Sequence, residues 1–292
     1  MHAYLIIAHN QFELLERLIR CIDDERNDIY IHIDAKVKNF DFDYFSTTAK
    51  KSRIIFTDRI KITWGDFSQV RCEQILLRTA LKNERPGAPY TYFHMLSGVD
   101  LPIKTNNEIH DFFDKNQGKE FIHYSSEKVT QSSVNRIKYY HFFRKRRNPF
   151  FKVIANIILK AEKILHVDRL KNKNINVQKG CNWFSITRDL AEYIVSKEKE
   201  IEKTFNYSYC CDEVFIQTVV ESSDFKNNLF MPHCNNDHYA CVRYIDWNRG
   251  HPYTFRESDF DEIMSSGCMF ARKFSMDVDS AIVEKITQAV LG

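Results

Sequence analysis

Two kinds of hydrophobic run alternate along the first hundred residues. Ala3–Ala8, Ile29–Ile33, Arg53–Phe56 and the run opening at Tyr90 are short and apolar, the pattern of strands covered on both faces. Between them, Gln11–Asp23 repeats Phe12, Leu15, Leu18, Ile19 and Ile22 at helical spacing, and Ser68–Leu81 gives a second helix. Strands separated by helices predict right-handed crossovers and an α/β fold, a mainly parallel central sheet flanked by helices. Downstream, the pattern predicts a helix over 106–115, a strand over 120–124 and an amphipathic helix within 148–167. That helix places Phe150, Ile154, Ile157, Ile158, Ala161 and Leu165 on one face, flanked by Lys152, Lys160 and Lys163. A strand over 182–187, a polar helix over 188–202, a helix over 211–221 opening on two acids and a closing helix over 281–291 complete the reading. No repeat or composition shift divides 1–292, so one domain is expected.

The fourth strand ends in Ser97-Gly98-Val99-Asp100-Leu101-Pro102, where pairing is expected to stop at the proline. In open α/β sheets ligands sit beyond the carboxyl ends of strands, so this end is a candidate site. The competing structural reading is a tight turn capped by Asp100.

Composition narrows the classes. With 43% hydrophobic and 28% charged residues, the chain has the balance of an ordinary globular protein. Only 8 glycines occur, and neither GxGxxG nor GxxxxGK[ST] is present, which excludes the common phosphate loops. Met1–Ile7 reads as a strand rather than a leader, and no apolar run approaches the ~20 residues of a membrane span. A cytoplasmic chain is therefore expected, its eight cysteines free thiols without a CxxC. Cys234 with His233 and His238 is an incomplete zinc pattern, lacking a second tight pair. Charge is uneven: 136–179 holds 13 Lys or Arg against two acids, +11, leaving −8 for the rest of a +3 chain. Such an island implies a local anionic partner rather than general nucleic-acid binding.

Five motifs follow in order: Ile31-His32-Ile33-Asp34-Ala35-Lys36, Trp64-Gly65-Asp66-Phe67-Ser68, Leu96 to Lys104, Asp212-Glu213, and Phe270-Ala271-Arg272-Lys273-Phe274. Together they resemble the core-2/I-branching glycosyltransferases, which include β-1,6-N-acetylglucosaminyltransferases and peptide O-xylosyltransferases. The resemblance runs from Ala3 to Asp279 and is poorest over 136–179. It implies a GT-A-type nucleotide-sugar fold and an inverting, metal-independent transfer from a UDP-sugar, UDP-N-acetylglucosamine first and UDP-xylose or UDP-galactose as alternatives. A bacterial-type catalytic domain in surface polysaccharide or glycoconjugate synthesis is the expected setting.

Inverting transfer needs one base to deprotonate the acceptor hydroxyl. The resemblance puts Glu213 in that role, with Asp212 beside it; the competing reading is two acids capping a helix. Asp41-Phe42-Asp43 and Asp277-Val278-Asp279 match the Asp-x-Asp of metal-dependent relatives, but the first comes too early and the second reads as a helix cap. Cations can replace the metal on the diphosphate. Lys273 matches the family lysine, while the partnering arginine's place falls on Gly250, with Arg249 adjacent and Arg243 and Arg256 as further choices. His9, His32, Asp34 and Lys36 at strand ends, with Trp64, Asp66, Ser97, Gly98 and Asp100, are expected to form the nucleotide and donor pocket. His32 and Asp34, two apart, are expected on one face. Trp183 is a sugar platform or a core residue.

Arg144-Lys145-Arg146-Arg147 and the amphipathic helix suggest that 144–173 docks on an anionic membrane, placing the protein at the inner face where a lipid-linked saccharide would be the acceptor. The competing reading is a core helix beside a solvated loop. A sugar-nucleotide-binding module without turnover is the functional alternative. A nucleic-acid binder is disfavoured, because no recognised motif accompanies the basic island.

Overall fold

A computed structural model describes residues 1–143, 148–233 and 235–292. The basic run 144–147 and Cys234 of the sequence reading lie outside the described residues.

Among the described residues, nine strands form two sheets: β1 His2–Ala8, β2 Asn27–Ile33, β3 Arg53–Phe56, β4 Tyr92–Ser97, β5 Asp100–Pro102, β6 Phe121–Ile122, β7 Phe184–Thr187, β8 Arg243–Ile245 and β9 Phe270–Arg272. The larger sheet has the order β3-β2-β1-β4-β7-β6. β3, β2, β1 and β4 run parallel, β7 is antiparallel to β4, and β6 is antiparallel to β7. β1 shows why so apolar a run is a strand here. Ala3 and Leu5 pack on one side with Val70, Leu76 and Leu77 of the helix Ser68–Lys82. Tyr4 and Ile6 pack on the other with Leu14, Leu15 and Leu18 of the helix Phe12–Cys21 and with Ile282 and Ile286 of the closing helix Ser280–Leu291. Both faces are covered, so both alternating sets must be hydrophobic.

From β1 the chain builds outward through β2 and β3 on one side, then crosses to β4 on the other. The strand order therefore reverses between β1 and β4, the place where open α/β sheets bind ligands. Register brings the ends level, with Ile7 opposite Ser97 and Ala8 opposite Ile33. Gly98 lets the chain pass the end of β1: a Cβ there would stand 2.9 Å from the Ala8 Cβ, and its amide donates to the Ile7 carbonyl at 3.0 Å.

The small sheet β5-β9-β8 was not foreseen. Pairing resumes after the end of β4 and ends at Pro102. That residue closes β5, opposite Phe270, on an edge strand where a missing N–H is tolerated. Two helices also differ from the reading. The 188–202 segment breaks at Lys197 into Arg188–Ser196 and Glu198–Phe205. The 211–221 helix begins only at Phe215, because Cys210 is left-handed (φ 45°) and Cys211–Glu213 form a single tight turn. The two acids thus precede the helix and do not cap it.

The helix Pro149–Ile164, N-capped by the Asn148 side chain, half-buries Ile154 and Ile158 and leaves other apolar side chains outward. Phe150, Val153, Ile157 and Ile164 are all more than half exposed, as is Leu165, and Glu162 is the helix's single buried residue. Among the described residues, no helix is long and apolar enough to cross a membrane.

Candidate functional site

A cavity of about 740 Å³ opens beyond the carboxyl ends of β1 and β4. Of the residues singled out in the sequence, it gathers His9, Asp34, Lys36, Trp64, Ser97, Trp183, Asp212 and Glu213 into its wall. His32, Asp66, Gly98, Asp100, Lys273 and Arg249 are not in that wall. His32 is fully buried, and its Nε2 accepts the Ile60 amide at 3.0 Å. Burial pushes its pKa down to about 4, so the ring is a neutral core residue. Asp34 directly follows β2, and its amide still donates to the Ala8 carbonyl of β1 at 3.0 Å. Asp66 accepts the Ser68 amide. Arg249 is enclosed by acids: it pairs with Asp246, with Asp259 at 2.7 Å and with Glu262 at 3.1 Å. Arg243 lies in the core and Arg256 is exposed.

Arg272, unforeseen, is the arginine that reaches the wall. β9 places it opposite Asp100 of β5. Its Nη1 donates to Asp100 Oδ1 and to Ser97 Oγ, both at 2.6 Å, and its guanidinium lies 4.2 Å from the Trp183 ring centroid. Asp100 is thus a buried support that orients Arg272 and also accepts the Ser97 amide at 2.8 Å. Trp183 is both a core member and a wall residue.

Glu213 sits among cations. Its Oε2 accepts from Arg136 Nη1 at 2.6 Å and lies 3.6 Å from Lys179 Nζ; among the described residues nothing bonds Oε1. Arg136 comes from the helix Gln131–Lys138, and Lys179 from the extended segment before β7. Gly180 is what allows that segment to lie where it does. A Cβ there would fall 1.7 Å from the His123 carbonyl oxygen, and the Gly180 amide donates to the Glu213 carbonyl at 2.9 Å. Neither cation was foreseen, because nothing local in the sequence links them to Glu213.

Asp212 is buried, with Oδ2 accepting from Gln69 at 2.9 Å and Oδ1 without a partner. Burial, then the neighbouring Glu213 charge, pushes its pKa from 3.8 up to about 6. Glu73, buried beside it, is raised as well, first by burial and then by Asp212. A carboxyl whose folded pKa exceeds its unfolded one binds more protons in the native state, so it lowers stability as pH rises from about 4 to 6. Asp212→Asn is expected to stabilise the fold by ~2–3 kcal/mol at pH 7.5 and to change little at pH 4. Chemical denaturation at the two pH values checks this; equal effects at both would refute it.

Neither Asp-x-Asp sequence is in the cavity wall. Asp41 caps the helix Phe42–Ser46, and Asp279 caps the closing helix while Asp277 accepts from Gln11. The second side of the cavity carries His123, Cys181, His238 and Trp247.

Residues 2–265 match the family model described as "Core-2/I-Branching enzyme". The chain belongs to this family. Its relatives include xylosyltransferase 2 of Rattus norvegicus and of Homo sapiens, each 26% identical over 97% of this chain and 33% of the relative. Human xylosyltransferase 1 is 23% identical over 99% of the chain and 30% of the relative. The chain thus spans about a third of the curated relatives it matches. A solved structure, mouse xyloside xylosyltransferase 1 in its apo form, aligns with 92% of this chain and 96% of that one at 8% identity and a TM-score of 0.35. These relatives carry the names of xylosyltransferases.

Proposed function

We propose that this family member transfers a sugar from a UDP-sugar to a saccharide hydroxyl with inversion, forming a β-linkage, with Glu213 as general base. One observation carries the reading: Glu213 stands in the wall of the switch-point cavity with one oxygen held by Arg136 and Lys179 and the other unbonded by any described residue. The bound oxygen fixes the carboxylate, and the other is left to take the acceptor proton. As the sugar moves, charge grows on the leaving diphosphate, and Arg272, with Lys273 next in the chain, is assigned to stabilise it. Arg249 would serve only by leaving its three acids. His9, Asp34, Lys36 and Trp64 are assigned to nucleotide and donor, and Trp183 to the sugar face. The chemistry asked of a metal is assigned to these cations, because neither Asp-x-Asp pair is in the cavity wall. On this reading 1–292 is a GT-A-type catalytic domain and 136–179 an insertion over the acceptor side.

UDP-N-acetylglucosamine is the first donor proposed; UDP-xylose is the second, favoured by the relatives' names. A UDP-release assay across UDP-N-acetylglucosamine, UDP-xylose and UDP-galactose, with and without EDTA, tests both points. Turnover with one donor, unchanged by EDTA, is expected. Loss of all turnover in EDTA would refute the metal-free mechanism, and nucleotide binding without turnover on any donor would favour the binding-module alternative.

The outward apolar side chains of Pro149–Ile164, beside Lys152, Lys160 and Lys163, support peripheral docking on an anionic bilayer that presents a lipid-linked acceptor. Sedimentation with phosphatidylglycerol vesicles is expected to retain the protein at low salt and release it at high salt. Ile157→Glu should abolish retention; equal retention by neutral and anionic vesicles would count against docking.

A further inference from the structure

On the second side of the cavity, segments far apart in sequence bring two thiols to one imidazole. Cys181 Sγ lies 3.7 Å from Cys241 Sγ, and the His123 ligand nitrogen lies within 4.8 Å of the Cys181 sulfur. Cys181 is partly exposed to the cavity, whereas Cys241 is fully buried behind it. The His123 tautomer follows from its neighbours. The Cys181 backbone amide donates to Nδ1 at 3.1 Å, so the neutral ring carries its proton on Nε2. His123 is 2% exposed, and its Nε2 is buried without a hydrogen-bond partner. The Cys181 thiol is in fact pushed well below its ordinary value: burial raises it, but the Cys241 thiol and the His123 ring outweigh that. Burial and the adjacent Cys181 push Cys241 up.

The same side chains do not suit a divalent cation. The His123 and His238 rings are stacked, with centroids 4.1 Å apart and planes 22° from parallel. Lone pairs lying in two nearly parallel rings cannot converge on one ion. His238 Nε2 moreover already accepts the Trp247 indole N–H at 3.0 Å.

We propose that Cys181 is a reactive thiolate on the cavity wall, a modification site for peroxide-class oxidants, with Cys241 as its resolving thiol. The Cys181 thiolate attacks one peroxide oxygen; the O–O bond breaks, and hydroxide leaves and takes a proton from solvent. Cys181 is now a sulfenic acid. Cys241 gives up its proton and attacks the Cys181 sulfur; the S–O bond breaks and water leaves. The two thiols have lost two electrons to the peroxide and form a disulfide. Closing 3.7 Å to the ~2.05 Å of an S–S bond draws Cys181 inward. The Lys179-Gly180 step that contacts Glu213 moves with it, so on the transferase reading the oxidised form is slower.

Peptide mass spectrometry on the full chain tests the site. Iodoacetamide at neutral pH is expected to alkylate Cys181 at least ~10-fold faster than the fully buried Cys72. Hydrogen peroxide is expected to join the Cys181 and Cys241 peptides with the loss of two hydrogens, reversed by dithiothreitol. In Cys241→Ser the cross-link should give way to a Cys181 sulfenic acid trapped by dimedone. Any of four results overturns the proposal: labelling of Cys181 no faster than of Cys72, a cross-link from Cys181 to another cysteine, direct passage of the unsubstituted protein to sulfinic acid, or labelling that appears only after EDTA removes an ion. None of these readouts uses turnover, so their failure is distinct from failure of the transferase reading.

Discussion

Glu213→Gln is expected to lower kcat by ~10²–10⁴-fold while UDP-sugar affinity changes less than about threefold. The amide keeps the shape of the side chain and can still accept from Arg136, so the cavity wall is preserved. What is lost is the oxygen that takes the acceptor proton. Stopped UDP-release assays for kcat and calorimetric titration of the donor separate the two effects. A kcat within tenfold of the unsubstituted protein would remove Glu213 as base. A parallel loss of donor binding would mean that the residue shapes the pocket instead.

The largest stability effect is expected at Arg243, a guanidinium buried at 1% exposure and in no ion pair among the described residues. It donates to the carbonyls of Cys241 at 2.6 Å, Phe184 at 3.0 Å and Met95 at 3.3 Å and to Ser185 Oγ at 3.2 Å, and lies 4.3 Å from the Phe270 ring centroid. These partners belong to β4, β7 and β9 and to the turn before β8, so one side chain ties the two sheets together. Arg243→Met fills much of the volume but leaves three buried carbonyls without their donor. A loss of ~3–5 kcal/mol is expected, lowering Tm by roughly 10 °C. A melting point within about 2 °C of the unsubstituted protein would show that the carbonyls find other partners.

What could be read from the sequence follows from where the information is stored. β1, β2 and β4 are buried on both faces, so their apolar runs are continuous and unmistakable. β5, β8 and β9 have three residues each, too few for any period to show, and they contribute Arg272 and its support Asp100. Glu213 was legible through its motif, but its partner Arg136 lies 77 residues away and is placed by tertiary folding alone. The amphipathic helix was legible as amphipathic, yet periodicity cannot say whether the apolar stripe faces the core or the solvent. The arginine next to Gly250 illustrates a further limit: spacing put Arg249 near its place, while the local acids decide where its charge goes.

The chain has three tryptophans, and Trp64, Trp183 and Trp247 all belong to the cavity wall. Trp64 is 74% exposed, Trp247 46% and Trp183 8%. The protein's indole fluorescence therefore originates wholly at this one place. Two emitters in contact with water should shift to the blue when a nucleotide covers them, while the sheltered third, stacked under Arg272, reports on that guanidinium. Occupancy of the cavity can thus be followed without a label, from emission the protein already carries.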